Sequence, residues 1–354
     1  MPLKRHLMVG LILLGIANEN GSGSICRDDG TFEIRHAWTL PEADVPDRER
    51  RFGASGVLVH EDVVAIATDR GPDGMLLPGK VRLYDSQRPA AEPSSILMAP
   101  ERSWPDGFGF ALSGFEHRIL IGAPHDSETN WGAGRAWLYS KTESDWVIEH
   151  SFADPSAETD AAFGHAVAIE NDIVVIGAPR SDRAGRDAGC VFIFKRTGHH
   201  WKLDARLVAP DAGSSDFFGS SLALDGHRLA VGAWGDDDHG EKTGSVWCYE
   251  KRGDRWSMRQ KLVPDRLQSR DLFGSALLFH EHELLISAPG TCEDRGAVYV
   301  FTGRTGRWEL IDHVIDPDTR TGDRFGHSMD ASRGTLVVGA PEAEGEAAST
   351  GMVS

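Results

Sequence analysis

The sequence predicts an all-β fold, a β-propeller of four-stranded antiparallel blades. Three observations predict it. A Phe-Gly pair recurs six times, as Phe52-Gly53, Phe108-Gly109, Phe163-Gly164, Phe218-Gly219, Phe273-Gly274 and Phe325-Gly326. Thirteen residues after each glycine stands a small-residue strand ending. These endings are Ile66-Ala67-Thr68, Gly122-Ala123-Pro124, Gly177-Ala178-Pro179, Gly232-Ala233-Trp234, Ser287-Ala288-Pro289 and Gly339-Ala340-Pro341. Successive glycines lie 56, 55, 55, 55 and 52 residues apart. Self-similarity at a fixed period of this size means one supersecondary unit copied along or around an axis.

The third copy shows the unit. Phe163 to Ile169 alternates small and apolar residues, as a strand does. Asn171-Asp172 turns the chain. Ile173 to Ala178 is a continuous apolar run, the mark of a strand covered on both faces. Pro179 cannot donate to a sheet ladder and stops it. A polar loop, Arg180 to Ala188, leads to a third strand from Gly189 to Phe194. Thr197 to His200 turns again, and Trp201 to Val208 is the fourth strand.

The other copies repeat this plan. Third strands begin at Gly79, Gly134, Gly244, Gly296 and Gly351. Trp146, Trp201, Trp256 and Trp308 open fourth strands, each 17 residues before the next Phe-Gly. In the fourth copy Asp225-Gly226 is a strong short-hairpin signal. Radial repetition of such units is a propeller. Six pairs imply six blades, with seven as the alternative. The segment 32–40 reads as a fourth strand without its first three, so it is expected to close the ring on the last copy.

The N-terminus reads as a secretory signal over residues 1–17. Lys4, Arg5 and His6 start it, Leu7 to Ile16 is its apolar run, and Gly15 and Ala17 suit a cleavage site. An extension, 18–31, would precede the propeller at 32–354. Export to the periplasm, the cell surface or the medium is therefore expected. The net charge of −17 disfavours phosphate backbones and anionic membranes as partners. Of the cysteines, Cys190 and Cys248 fall in strands, Cys292 in a loop and Cys26 before the first repeat. Two disulfides are permitted. Buried free thiols are the reading for Cys190 and Cys248.

The recurring Phe-Gly and Gly-Ala-Pro motifs resemble those of the FG-GAP repeat family, found in integrin α-subunits and in exported bacterial proteins. The likeness covers about 32–354. It implies an extracellular propeller that binds other macromolecules, often in adhesion. The family's calcium loops lie between first and second strands. Here those connections are tight turns such as Glu170-Asn171-Asp172, Asp225-Gly226-His227 and Glu281-His282-Glu283. None offers the six to eight oxygens that calcium takes, so calcium is not carried over to them.

The best acidic cluster lies between the second and third strands of the fourth copy. Asp236, Asp237 and Asp238 stand in a row and are the candidate metal ligands, calcium being the cation considered. His199-His200 and His280/His282 match no metal motif. Ser220, Ser221 and Ser275 lack a nucleophile elbow. They stand with Ala54, Phe110 and His165 at positions expected to line the axis. No catalytic or cofactor-binding residue is assigned. The expected function is non-catalytic binding of a protein or glycan, in adhesion or surface assembly. The alternative is a propeller enzyme acting on carbohydrate, which needs converging carboxylates.

Overall fold

The computed structural model describes residues 11–15, 33–38, 57–60, 63–70, 76–85, 93–100, 106–304, 307–317, 319–332, 335–340 and 352–353. Phe52, Gly53, Cys26, Gly351, the extension 18–31 and the leader apart from 11–15 lie outside them. The regular structure of the described chain is nearly all strand and forms a β-propeller of stacked antiparallel sheets.

Each of copies one to five is one four-stranded sheet in up-and-down order. In the third copy the strands are Ala166–Glu170, Ile173–Ala178, Cys190–Thr197 and His200–Leu207. The register pairs Val167 with Ile176, Val175 with Ile193, and Phe192 with Arg206. The second strand is buried along all but its first residue, as its apolar run requires. The fourth alternates exposed and covered positions, as an outer strand does. First strands of adjacent copies face one another across the axis side: the Ile169 N–H donates to Ser113 Oγ at 3.1 Å.

The cores lie between the sheets. One joins Leu138 and Phe152 of the second copy to Phe163, Phe192 and Phe194 of the third. Phe163 and Phe192 meet edge to face at 5.1 Å, and Phe152 and Phe194 pack tilted at 4.9 Å. Phe108, Phe163, Phe218 and Phe273 are fully buried. Each contributes roughly 1.5–3 kcal/mol by burial. Cys190 and Cys248 are buried free thiols, and Cys292 is an exposed one.

The regular first strands begin about three residues after the phenylalanine. Phe163 instead makes an isolated parallel bridge to Gly134 of the preceding sheet. The same bridge joins Gly189 to Phe218, Gly244 to Phe273 and Gly296 to Phe325. A Cβ on Gly134 would meet the Phe163 carbonyl oxygen at 2.2 Å. A Cβ on Gly122 would meet the Gly164 oxygen at 1.9 Å. Backbone therefore touches backbone between these blades, and a side chain at Gly122 or Gly134 would collide with the neighbouring chain. The repeat motif is a staple from one sheet to the next.

The sixth sheet contains Ser328–Ser332 and Thr335–Ala340. The free edge of Thr335–Ala340 is shared. Met352–Val353 pairs with its end, and Leu11–Gly15 pairs Leu14 with Leu336 and Gly15 with Thr335. Glu33–Trp38 then adds outside Leu11–Gly15. An N-terminal strand thus lies at the outer edge of the last sheet, with part of the predicted leader between.

Candidate functional site

Antiparallel order places two sets of connections at the same end of every sheet. One set joins second to third strands. The other joins a fourth strand to the next Phe-Gly. They touch: the Phe163 N–H donates to the Ala133 oxygen, and the Asp160 N–H to the Trp131 oxygen. This end carries acidic corners, and in the second, third and fourth copies a basic side chain closes the corner, from a different place in each.

Aspartates two residues before the phenylalanine form the first part. Asp106, Asp216, Asp271 and Asp323 are all buried. Each accepts a backbone N–H in the turn that delivers the chain to Phe-Gly. Phe108 donates to Asp106 at 3.1 Å, Gly213 to Asp216 at 2.6 Å, Gln268 to Asp271 at 2.9 Å and Arg320 to Asp323 at 2.6 Å. Burial raises the carboxyl pKa of Asp106, Asp216 and Asp271. For Asp216 the charges of Asp236, Asp237 and Asp238 add to that rise. The offset from phenylalanine is constant, so the sequence carried the signal, and the reading above passed over it.

Residues four after the first position of Gly-Ala-Pro form the second part: Asp126, Ser181, Asp236 and Thr291. Asp126 and Asp236 fold back on their own loops, accepting the N–H of Glu128 at 3.0 Å and of Asp238 at 3.2 Å.

The third part is the cation. In the second copy Arg135 reaches Glu128 at 2.7 Å and Asp126 at 3.7 Å. Its guanidinium lies 5.2 Å from the Trp137 ring centre. In the third copy Arg183 pairs with Asp154 at 2.7 Å and with Glu158 at 3.4 Å, against Phe192. In the fourth copy Lys261 Nζ lies 2.8 Å from a carboxylate oxygen of each of Asp211, Asp236 and Asp238. The Trp247 ring centre is 5.0 Å from that ammonium. Cation and aromatic attract, and such pairs contribute about 0.5–2 kcal/mol.

Of the three residues expected to hold metal, the structure brings Asp236 and Asp238 together with Asp211, within 4.8 Å of one another. Asp236 is buried and also accepts the Ser245 hydroxyl at 2.6 Å. Asp237 is exposed and outside the cluster, and its carbonyl accepts the Gly240 N–H. Burial alone would lower the Lys261 pKa, but the three carboxylates outweigh it and raise it. Lys261 holds the Asp238 carboxyl below its ordinary range.

Two aromatic features share this end. Trp131 is 74% exposed. Its loop is pinned: Gly132 N–H donates to Ser127 Oγ at 3.0 Å, and Asn130 Nδ2 to Thr159 Oγ1 at 2.7 Å. Trp234, the variant residue of the fourth Gly-Ala-Pro, stacks on Phe217 at 4.6 Å and 14°. Of the expected axis-lining positions, Phe110 packs on His165 at 4.7 Å, and His165 Nδ1 meets the Ser220 oxygen at 3.2 Å. Desolvation lowers the His165 pKa to about 4. Ser275 turns its hydroxyl onto the Leu272 oxygen. Ala54 lies outside the described residues.

The FG-GAP repeat family profile matches residues 146–194, 201–249 and 308–353. Each match starts at the first tryptophan of a fourth strand, so the family's unit runs across the Phe-Gly staple. The chain is 30% identical over 217 residues to integrin alpha-M of Mus musculus, covering 55% of this chain and 18% of that one. It is 27% identical over 194 residues to integrin alpha-X of the same organism, covering 49% and 16%. The chain thus spans less than a fifth of the length of either relative. The chain therefore carries FG-GAP repeats over residues 146–194, 201–249 and 308–353, in a β-propeller similar to that of integrin α chains.

Proposed function

We propose that this protein is an exported, non-catalytic, adhesion-type propeller of six blades. It binds a protein or glycan partner through the end of the sheets that carries the acidic corners. The observation that carries this reading is Trp131, 74% exposed on a loop held by side-chain hydrogen bonds. A rigid, presented tryptophan is the kind of residue on which binding energy concentrates. Likeness to two integrin α chains supports the adhesion-type role. The carboxylates that gather at this end are engaged by Arg135, Arg183 and Lys261, which suits a binding surface better than glycosidic cleavage. Among the described residues no helix is long and apolar enough to cross a membrane. The signal-like composition of residues 1–17, a basic start followed by an apolar run, supports export.

The test uses immobilised full chain against a glycan array and a cell-surface protein extract. Once a partner is identified, Trp131→Ala is expected to weaken its binding about 30-fold, the size of a hot-spot loss of roughly 2 kcal/mol. Unchanged affinity of the variant would remove this face from the reading.

A further inference from the structure

The fourth corner has the make-up of a cation site with a cation already in it. Three carboxylates from two segments converge on one point. Asp211 comes from the exit of the third sheet, and Asp236 and Asp238 from the second-to-third-strand loop of the fourth. The converging group, Lys261, comes from the fourth strand Arg255–Leu262. Its three N–H bonds have three acceptors at 2.8 Å, so no donor is left over. The corner holds a surplus of negative charge even so, because three carboxylates meet one ammonium and their field reaches buried Asp216.

A second observation concerns the third strand beside the corner, Ser245–Arg252. The Tyr249 hydroxyl is buried, on a residue 6% exposed, without a hydrogen-bond partner. Asp211 is near enough for its charge to act on that phenol, after burial itself. In the second copy the equivalent Tyr139 hydroxyl donates to the Met98 oxygen at 2.6 Å. The fourth copy therefore has a spare oxygen where the second has a satisfied one.

We propose that the Lys261 ammonium is the built-in counter-ion of this corner, doing the charge-bridging that a divalent cation would do, and that removing it turns the corner into a divalent-cation site. The donor chemistry fits. Three carboxylates supply up to six oxygens, the hard ligands that calcium takes at six to eight positions, with water completing the shell. In the intact chain an ion would have to expel a competing positive charge held by all three ligands. The corner ties the third sheet to the fourth without metal, which makes this junction independent of calcium.

Terbium(III) is the probe, because it occupies calcium-type oxygen sites and Trp247 lies 5.0 Å from the point it would fill. Energy transfer from that indole reports occupancy. The intact chain is expected to show no saturable sensitised emission that Asp236→Asn removes. Its thermal midpoint is expected to be the same in calcium and in EDTA. Lys261→Met is expected to gain saturable emission, with affinity at least about tenfold above the intact chain, since one full competing charge is gone. That gain is expected to vanish in Lys261→Met combined with Asp236→Asn and Asp238→Asn. Calcium is expected to restore part of the lost midpoint of Lys261→Met. Saturable emission from the intact chain that Asp236→Asn abolishes would overturn the proposal. So would a cooperatively folded Lys261→Met that gains none. If Lys261→Met does not fold without metal, Lys261→Gln, which keeps a polar side chain of similar length, is put to the same criterion.

Discussion

The third and fourth corners solve one electrostatic problem with different parts. In the fourth, the two repeat positions carry Asp216 and Asp236, and Lys261 answers them and their neighbours from a strand. In the third, the same positions carry Ala161 and Ser181. The acid has moved to Asp154 and Glu158 in the incoming segment, and the cation to Arg183 in the loop. The third uses a planar guanidinium that reaches two carboxylates and rests on Phe192. The fourth uses a compact ammonium with three equal contacts. What the two share is the closing of a buried acid by a cation lodged against a third-strand aromatic. The staple beneath does not change, so each blade can carry its own charge arrangement at the rim.

The largest expected effect separates the two by what each cation leaves behind. Lys261→Met strands the buried Asp236 among two like charges. A loss of about 3–5 kcal/mol in chemical denaturation is expected, the usual cost of breaking a buried pair from one side. Arg183→Met leaves Asp154 with the Ser156 N–H at 3.1 Å and its hydroxyl at 2.7 Å. A smaller loss, about 2–3 kcal/mol, is expected there. Equal losses would mean that mutual repulsion adds nothing at the fourth corner.

Exchanging the cations is the next test, and the effects are smaller. Arg183→Lys loses the second contact and the guanidinium's contact with the Phe192 ring, because a point charge does not replace a planar fork. A loss of about 1–2 kcal/mol is expected. Lys261→Arg has to place a larger group where three oxygens already meet one nitrogen, and a loss of similar size is expected from crowding. If both exchanges are silent in thermal melts, the geometry described for the corners has no energetic weight.

The staple was legible in the sequence and the corners only in part, for a physical reason. Backbone contact between sheets favours glycine at fixed positions, so Gly134 and Gly164 recur as glycine in all six copies, and Gly122 in all but the first and fifth, which carry Ile66 and Ser287. The turn-capping aspartates keep a constant offset too, and Asp106, Asp216, Asp271 and Asp323 could have been found by it. The cations follow no such register. Arg135 opens a third strand, Arg183 sits in a loop and Lys261 lies in a fourth strand. A side chain several bonds long can reach one point from many backbone sites, so periodicity does not mark it. The Asp236-Asp237-Asp238 run was visible, yet Asp237 stands exposed outside the cluster on the turning loop, and Asp211 arrives from a separate segment.

The smallest effects come from pH, and the two corners are expected to differ in sign. Burial pulls the Asp154 carboxyl upward, but the Ser156 N–H and hydroxyl and the Arg183 guanidinium outweigh it and hold its pKa below 3.8. A depressed carboxyl contributes stability above its unfolded value and loses it as pH falls through the folded one. Asp154→Asn is therefore expected to destabilise the protein at neutral pH and to flatten the loss of stability below about pH 4. Asp216 is the opposite case, because burial and the nearby aspartates raise its pKa above 3.8. Its charge opposes folding at neutral pH, and the folded state takes up the proton first as pH falls toward 3.8. Asp216→Asn keeps an oxygen for the Gly213 N–H. It is expected to leave stability at pH 7 unchanged or raised by up to about 1 kcal/mol, and to remove a stabilising component just above pH 4. Urea denaturation of both variants from pH 7 down to pH 3.5 reads the two slopes. Parallel slopes would mean that the third and fourth corners present the same electrostatic environment despite their different parts.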